Sequence, residues 1–244
     1  MGNLSKIKYV SDVRNTDPEW MDDPALDEVT LQNAVDDINK VNNLLGGFKF
    51  MLDAVKKEVA KYPDQELTIV DAGCGDGEML RYLEKHLKNE KLSFLGLDFA
   101  ARSIEKARLK SDGLSRLRFR ESDILKIQPQ DISCDILISS LTMHHFNDVE
   151  IVEFLTKFKE ITTKSIIIND LHRHRLAFLF FKYLSPIFIK HEISKHDGLI
   201  SIASGFKVND FKKYATAIGI TNDRWTWKWS FRFIWIIPID ERKN

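Results

Sequence analysis

The chain has two cysteines in 244 residues, too few for a disulfide framework. Cys74 and Cys134 lie far apart in apolar neighbourhoods, which predicts buried thiols in a reducing compartment and, with that, a cytoplasmic location. A charge excess is lacking too, since 36 Lys and Arg balance 36 Asp and Glu. No global field draws in a polyanion, so nucleic acid is not an expected partner. No apolar run approaches the ~20 residues of a bilayer span, and Met1 to Asp12 has no unbroken stretch of the kind a secretory signal needs. Stable membrane insertion is therefore not expected. The most apolar window, Leu176 to Ile189, is interrupted by Lys182 and Pro186 and reads as a buried or pocket-lining helix. Repeats and low-complexity tracts are absent.

What is present is a length and a 43% hydrophobic content that suit one large core. The first ~65 residues contain no strand-like run. Asp17-Pro18-Glu19-Trp20 and Asp22-Asp23-Pro24 read as turns, with Trp20 placed either to close over a site as a lid or to dock on the core. Leu31, Val35, Ile38, Val41, Leu44 and Leu45 recur at helical spacing until Gly46-Gly47 breaks the pattern, and a second helix follows over Phe48 to Lys61. Residues 1–64 are thus expected to form a helical cap, and residues 65–244 the main domain.

From Leu67 a regular alternation sets in. Strands are predicted at Leu67 to Val70, Ser93 to Leu97, Leu117 to Arg120, Ile136 to Ser139 and Ser165 to Asn169. Helices are predicted at Glu78 to Leu87, Ser103 to Lys110 and Val149 to Ile161. Strands separated by helices of this length imply right-handed crossovers and a parallel sheet. After an amphipathic helix over Val208 to Ile218, aromatic residues fall at every second position from Trp225. That alternation predicts two antiparallel strands turning near Trp229-Ser230, with the tryptophans packed on the sheet rather than stacking bases. The fold class is therefore α/β: a doubly wound, mostly parallel, seven-stranded Rossmann-like sheet with an antiparallel C-terminal strand and an N-terminal helical cap.

Val70-Asp71-Ala72-Gly73-Cys74-Gly75-Asp76-Gly77 stands where a strand ends and a helix begins, the crevice at which open α/β sheets bind ligands. Glycine is needed there because the turn packs helix against strand and lets backbone approach a ligand closely. Asp98 follows Gly77 by twenty-one residues, directly after a strand, where a carboxylate can accept from both ribose hydroxyls. The spacing Gly-x-Gly-x-Gly differs from the Gly-x-Gly-x-x-Gly of dinucleotide enzymes. Asp71 and Asp76 would repel a pyrophosphate but can receive the ammonium of an amino acid, which points to a nucleoside amino acid such as S-adenosylmethionine.

These residues, with Leu97-Asp98, Ser122-Asp123-Ile124 and Asp135 to Ser140, resemble the ordered motifs of class I S-adenosylmethionine-dependent methyltransferases over roughly residues 65 to 240. The resemblance implies that Gly73, Gly75 and Gly77 lie along the cofactor and that Asp71 holds its ammonium. It also implies that Asp98 binds the ribose and that Asp123 and Ile124 meet the adenine, with Phe99 and Ser140 as further candidate cofactor-binding residues. Leu141 to Asp148 is similar to the small-molecule enzymes of ubiquinone and menaquinone biosynthesis. Residues of about 171–205 fall where this class inserts substrate-recognition elements.

A sulfonium is already a good leaving group, so a methyltransferase mainly aligns and deprotonates its acceptor. For a phenol, a neutral histidine is the natural base. His144, His145 and His172 are the candidate bases, with His174 beside them, all after strands at the ligand edge. On a regular helix, adjacent histidines cannot both face one pocket. Asp170 and Arg173 fit either a site or an exposed ion pair. A zinc site is not expected, because no histidine pair has an HExxH-type frame. The apolar Leu176 to Ile189 segment suggests an aromatic or lipophilic acceptor. The function that follows is methylation of an oxygen, or in second place a ring carbon, of a small phenolic or quinone-like metabolite by a monomer or homodimer. The alternatives are a non-catalytic cofactor-binding module and an RNA or protein methyltransferase. Against the last stand the balanced charge and Ser139-Ser140-Leu141-Thr142, where an Asn-Pro-Pro-Tyr-like segment would be needed.

Overall fold

The computed structural model describes residues 7–23 and 25–239. The Met1 to Lys6 part of the N-terminal reading and Pro24 of the second turn lie outside the described residues. Two helices open the chain. The first, α1 (Glu28–Leu44), starts where the Asp27 carboxylate accepts from the Thr30 N–H, and the second, α2 (Gly47–Val59), follows Gly46 in the left-handed region. A regular βα alternation then runs through β1 (Leu67–Ala72), α3 (Glu78–His86), β2 (Leu92–Asp98), α4 (Ala101–Lys110), β3 (Leu117–Glu121), β4 (Cys134–Ser140), α5 (Asp148–Ile161) and β5 (Thr162–Leu171). Three helices follow, α6 (Arg175–Phe188), α7 (Glu192–Ser204) and α8 (Val208–Ala217), and the chain closes with β6 (Arg224–Lys228) and β7 (Arg232–Pro238).

The seven strands lie in the order β3-β2-β1-β4-β5-β7-β6, parallel up to β5 and antiparallel for the last two. The doubly wound α/β fold is as expected, and the final two strands turn where the aromatic alternation places them. Strand parity divides the core. On one face Leu67, Ile69, Phe94, Ile136, Ile138, Ile167 and Ile234 pack against α2, α3 and α4. On the other, Val70, Ala72, Leu97, Leu137, Ile166, Ile168 and Trp235 pack against α5 and α8.

Two expectations need correction. First, α2 is not a cap, because Phe48, Met51, Leu52 and Val55 are buried in the main core against the sheet. Only α1, with Ala34 and Asn42 buried, keeps the position of a cover. Second, Trp225, Trp227 and Trp229 stand 40%, 42% and 67% exposed, because β6 is the sheet's edge and only Trp235 of this series enters the core. Residues 171–205 are more structured than the sequence suggested. They form the pair α6 and α7, with Ala177, Phe178, Leu199, Ile202 and Ala203 as a third small core. A Cβ on Gly198 would stand 2.2 Å from the Phe181 ring, so only glycine lets these helices approach. No helix among the described residues is long and apolar enough to cross a membrane.

Candidate active site

The C-terminal ends of β1, β4 and β5 open into a cavity of about 450 Å³, roofed by α1 and walled by α6 and α7. Its floor is the glycine turn. Gly73 has φ +79° and a Cβ there would lie 2.4 Å from Thr142; Gly77, at φ +81°, would drive one to 2.7 Å from Phe119. Gly75, at φ +53°, faces no protein atom within 4 Å, so its backbone is bare toward the crevice. Asp98 fastens this turn: Oδ2 accepts from the Gly75 N–H at 2.9 Å and Oδ1 from the Ala100 N–H at 2.9 Å. Burial pushes the Asp98 carboxyl above its usual range despite those two bonds.

Asp71 lies deeper, 2% exposed, with Oδ1 lacking any partner. Burial, reinforced by the nearby Asp98, raises its carboxyl to about 8. A buried carboxylate without a counter-charge is costly unless a cation arrives, and the ammonium of an amino acid is of the right size and sign. Asp76 does not share that task, because Lys110 at 2.6 Å and Asn39 at 3.4 Å already occupy its carboxylate. Ser140 and Leu141 continue the cavity wall, and Leu141 holds φ 56° there. Phe99, 79% exposed, and Asp123 and Ile124 are not among the cavity's lining residues. They lie at the ends of β2 and β3, toward one edge of the sheet.

The histidines separate into three kinds. His144 and His145 occupy a short 3-10 turn rather than an α-helix, which is why both reach the cavity. His144 is buried, with Nδ1 2.7 Å from Asp170 and Nε2 3.5 Å from Glu19. Burial works against its charge, but the Asp170 charge and the bonds from Asp170 and Glu19 prevail and push it up to about 10. Glu19 itself is held below its ordinary range, since the His144 bond and the charges of both histidines outweigh its burial. His145 lies at the rim, Nδ1 3.2 Å from Asp22 and Nε2 3.9 Å from Glu19. His172 is outside the site: Trp227 donates to its Nδ1, rings surround it, and burial, helped by His174, Lys207 and Arg173, lowers it to about 4. His174 caps α6 by accepting from the Leu176 N–H.

Asp170 and Arg173 are both buried and do not pair with each other. Asp170 backs His144, while Arg173 binds the Gly205 and Ser11 carbonyls and Asp210. Glu19 was not singled out from sequence. It arrives on an N-terminal strap that the Asp197 carboxylate holds through the Trp20 and Met21 N–H groups at 2.8 and 2.9 Å. Trp20 stacks on His196 with centroids 3.7 Å apart and so docks on α7 instead of covering the cavity. Donor atoms of Glu19, His144 and His145 lie within 4.8 Å of one another. A search for a histidine frame within one helix could not see this set, whose carboxylate comes from the strap. His144 turns its Nδ1 to Asp170, so its Nε2 is the atom that faces Glu19 in this set.

The sheet order and the glycine turn after β1 are those of the class I methyltransferase fold. Residues 69–165 match the family model described as Methyltransferase domain. No curated protein matches the chain in sequence. Among solved structures, the plantazolicin methyltransferase BpumL in complex with SAH shares the fold with TM-score 0.66 at 17% identity, over 90% of this chain and 92% of that one. Magnesium protoporphyrin IX methyltransferase from Synechocystis with bound SAM does so at TM-score 0.53 and 13% identity, over 90% and 88%. The CurJ carbon methyltransferase superposes at TM-score 0.57 and 13% identity, over 87% of this chain and 55% of that one. The unpartnered Asp71 oxygen and the bare Gly75 backbone fit S-adenosylmethionine, the cofactor of this class.

Proposed function

We propose that the protein transfers the methyl group of S-adenosylmethionine to an oxygen of a small acceptor with an aromatic or lipophilic body. The observation that carries this reading is the pair His144 and His145 lining a cavity that Phe180, Phe181, Leu184 and Phe188 also line. Asp71 and Gly75 would hold the methionine part of the cofactor and Asp98 its ribose, while Asp123 and Ile124 would flank the adenine. When bound, the cofactor supplies the electrophilic methyl group and its own leaving group.

The two histidines divide the remaining work. His145 is the base, because Asp22 stands against its Nδ1 and leaves Nε2 on the side of Glu19 and the cavity. His144, already protonated between two carboxylates, cannot take a second proton. It holds Glu19 beside His145 and so positions the base. The walls of α6 and α7 exclude water from the acceptor oxygen.

The test is S-adenosylhomocysteine production from S-adenosylmethionine with a panel of phenols. Turnover is expected with wild type, and His145→Ala should lower kcat by roughly 10²–10⁴ while leaving S-adenosylhomocysteine affinity unchanged. Turnover of the same phenols by His145→Ala at the wild-type rate would remove the base assignment. Absence of any phenol turnover, together with transfer to an amine or thiol, would remove the choice of oxygen.

A further inference from the structure

One buried side chain in the cavity has no part in the reaction above. Arg232 begins β7, pairs in register with Leu171 at the end of β5, and is 3% exposed. Its Nε and Nη1 have no hydrogen-bond partner, yet it lines the cavity. Burial draws its guanidinium down to about 10, opposed by the charge of Asp170, so it is still a cation at neutral pH. Beside it, the Oδ1 of Asn42 from α1 is also buried and unpartnered. Asp170 gives Arg232 a counter-charge but no hydrogen bond, and its Oδ1 is spent on His144 and the Leu171 N–H. An arginine whose donors are buried and unmade carries a desolvation cost that an oxyanion would offset with a charge-assisted hydrogen bond.

From this arrangement we infer that Arg232 is the receptor for a carboxylate on the methyl acceptor, which is therefore an apolar acid. The inference rests on the methyltransferase reading and deepens it. Strand order decides between acceptor and cofactor as the owner of the carboxylate. Adenine and ribose belong to the ends of β3 and β2 and the methionine part to β1 and β4. Arg232 lies two strands beyond β4, roughly 10 Å away at the ~4.8 Å spacing of neighbouring strands. It stands next to Phe231 and Leu171, which also line the cavity on the α6 side. An acid seated there places its carboxylate against the Arg232 guanidinium and its apolar body along Phe180 and Phe181. Asn42 Oδ1 remains to accept from a hydroxyl or from the protonated form of the acid.

The experiment uses the full chain saturated with S-adenosylhomocysteine. The probes are 4-hydroxybenzoate, 4-hydroxycinnamate and dodecanoate, each compared with its methyl ester by calorimetry, on wild type and Arg232→Met. For wild type at least one acid should bind at least about tenfold tighter than its ester, the size expected for a charge-assisted hydrogen bond, and Arg232→Met should erase that preference. The variant's thermal midpoint without ligand should not fall below that of wild type, because the substitution removes a buried charge with no hydrogen bonds. If no acid is preferred over its ester while S-adenosylhomocysteine still binds, the inference fails and the methyltransferase reading stands. If Arg232→Met loses S-adenosylhomocysteine itself, the arginine serves the cofactor's carboxylate and the acceptor assignment is overturned. A folded variant that melts well below wild type and keeps the acid preference gives Arg232 a purely structural role, which also overturns it. Failure of wild type to bind S-adenosylhomocysteine would sink the methyltransferase reading and the inference resting on it.

Discussion

At the scale of single residues, Asp71 offers the sharpest test of how the site meets its cofactor. Its carboxyl is raised to about 8 by burial, so at pH 7 it is largely protonated, and an arriving ammonium must displace that proton. S-Adenosylhomocysteine binding at pH 7 should therefore release protons, measured by calorimetry in buffers of different ionisation enthalpy, and Asp71→Asn should abolish the release. Asp71→Asn should also weaken S-adenosylhomocysteine roughly tenfold or more, but leave 5′-methylthioadenosine, which has no amino-acid end, unchanged. Equal losses for both nucleosides would mean that Asp71 acts on the loop and not on the ammonium. Asp98 is the instructive contrast. Because its carboxylate also accepts from the Gly75 and Ala100 N–H groups, Asp98→Ala should cost folding stability as well as affinity, with a lower thermal midpoint even without ligand.

Elements set the geometry between such residues, and here the strap at 17–23 and the α6–α7 pair matter most. Asp197 holds the strap through two backbone N–H groups, so Asp197→Ala should free Glu19 and Asp22 together. The expected result is a fall in kcat with little change in S-adenosylhomocysteine affinity, accompanied by a change in Trp20 fluorescence as its stack on His196 is lost. An unchanged emission spectrum would show that the strap is anchored elsewhere. Gly198→Ala tests the other element. The new methyl would stand 2.2 Å from the Phe181 ring, so α6 must shift. Acceptor KM should rise, with the glycine-turn contacts to the cofactor unaffected.

These elements also mark the limit of what the sequence discloses. The β1 turn, Asp98 and the strand alternation are legible because each is a local pattern: a period, a spacing, a conformational demand on glycine. Glu19 and Asp22 were not, since their partners lie on a 3-10 turn after β4, and nothing local ties a turn in the N-terminal segment to it. Arg232 left one faint signal, a single charge between Phe231 and the apolar run Phe233 to Ile237. The adjacent histidines were misjudged for a local reason, the assumption of a helix where a tighter turn stands.

Over the molecule as a whole, balanced charge hides a concentration of buried ionisable groups at one end of the sheet, and that concentration should govern stability against pH. His144 has a folded value of about 10 against about 6.5 for an unfolded histidine. The folded protein thus binds more protons between those values, and stability falls as pH rises through them. Asp71, raised to about 8 from an ordinary 3.8, acts in the same direction at lower pH, because it ionises in the unfolded chain first. Glu19 and Asp170 are held low, so what they contribute is present above the ordinary carboxylate range and lost in acid. Thermal midpoints should accordingly decline from about pH 6 to pH 10, and two variants divide the decline. His144→Gln should flatten its alkaline part, and Asp71→Asn its part below about pH 8. Saturating S-adenosylhomocysteine should mimic the second variant but not the first, because the cofactor's ammonium compensates Asp71 while His144 still depends on Glu19 and Asp170. A decline that neither variant alters would place the titrating groups outside the cavity and detach stability from the site.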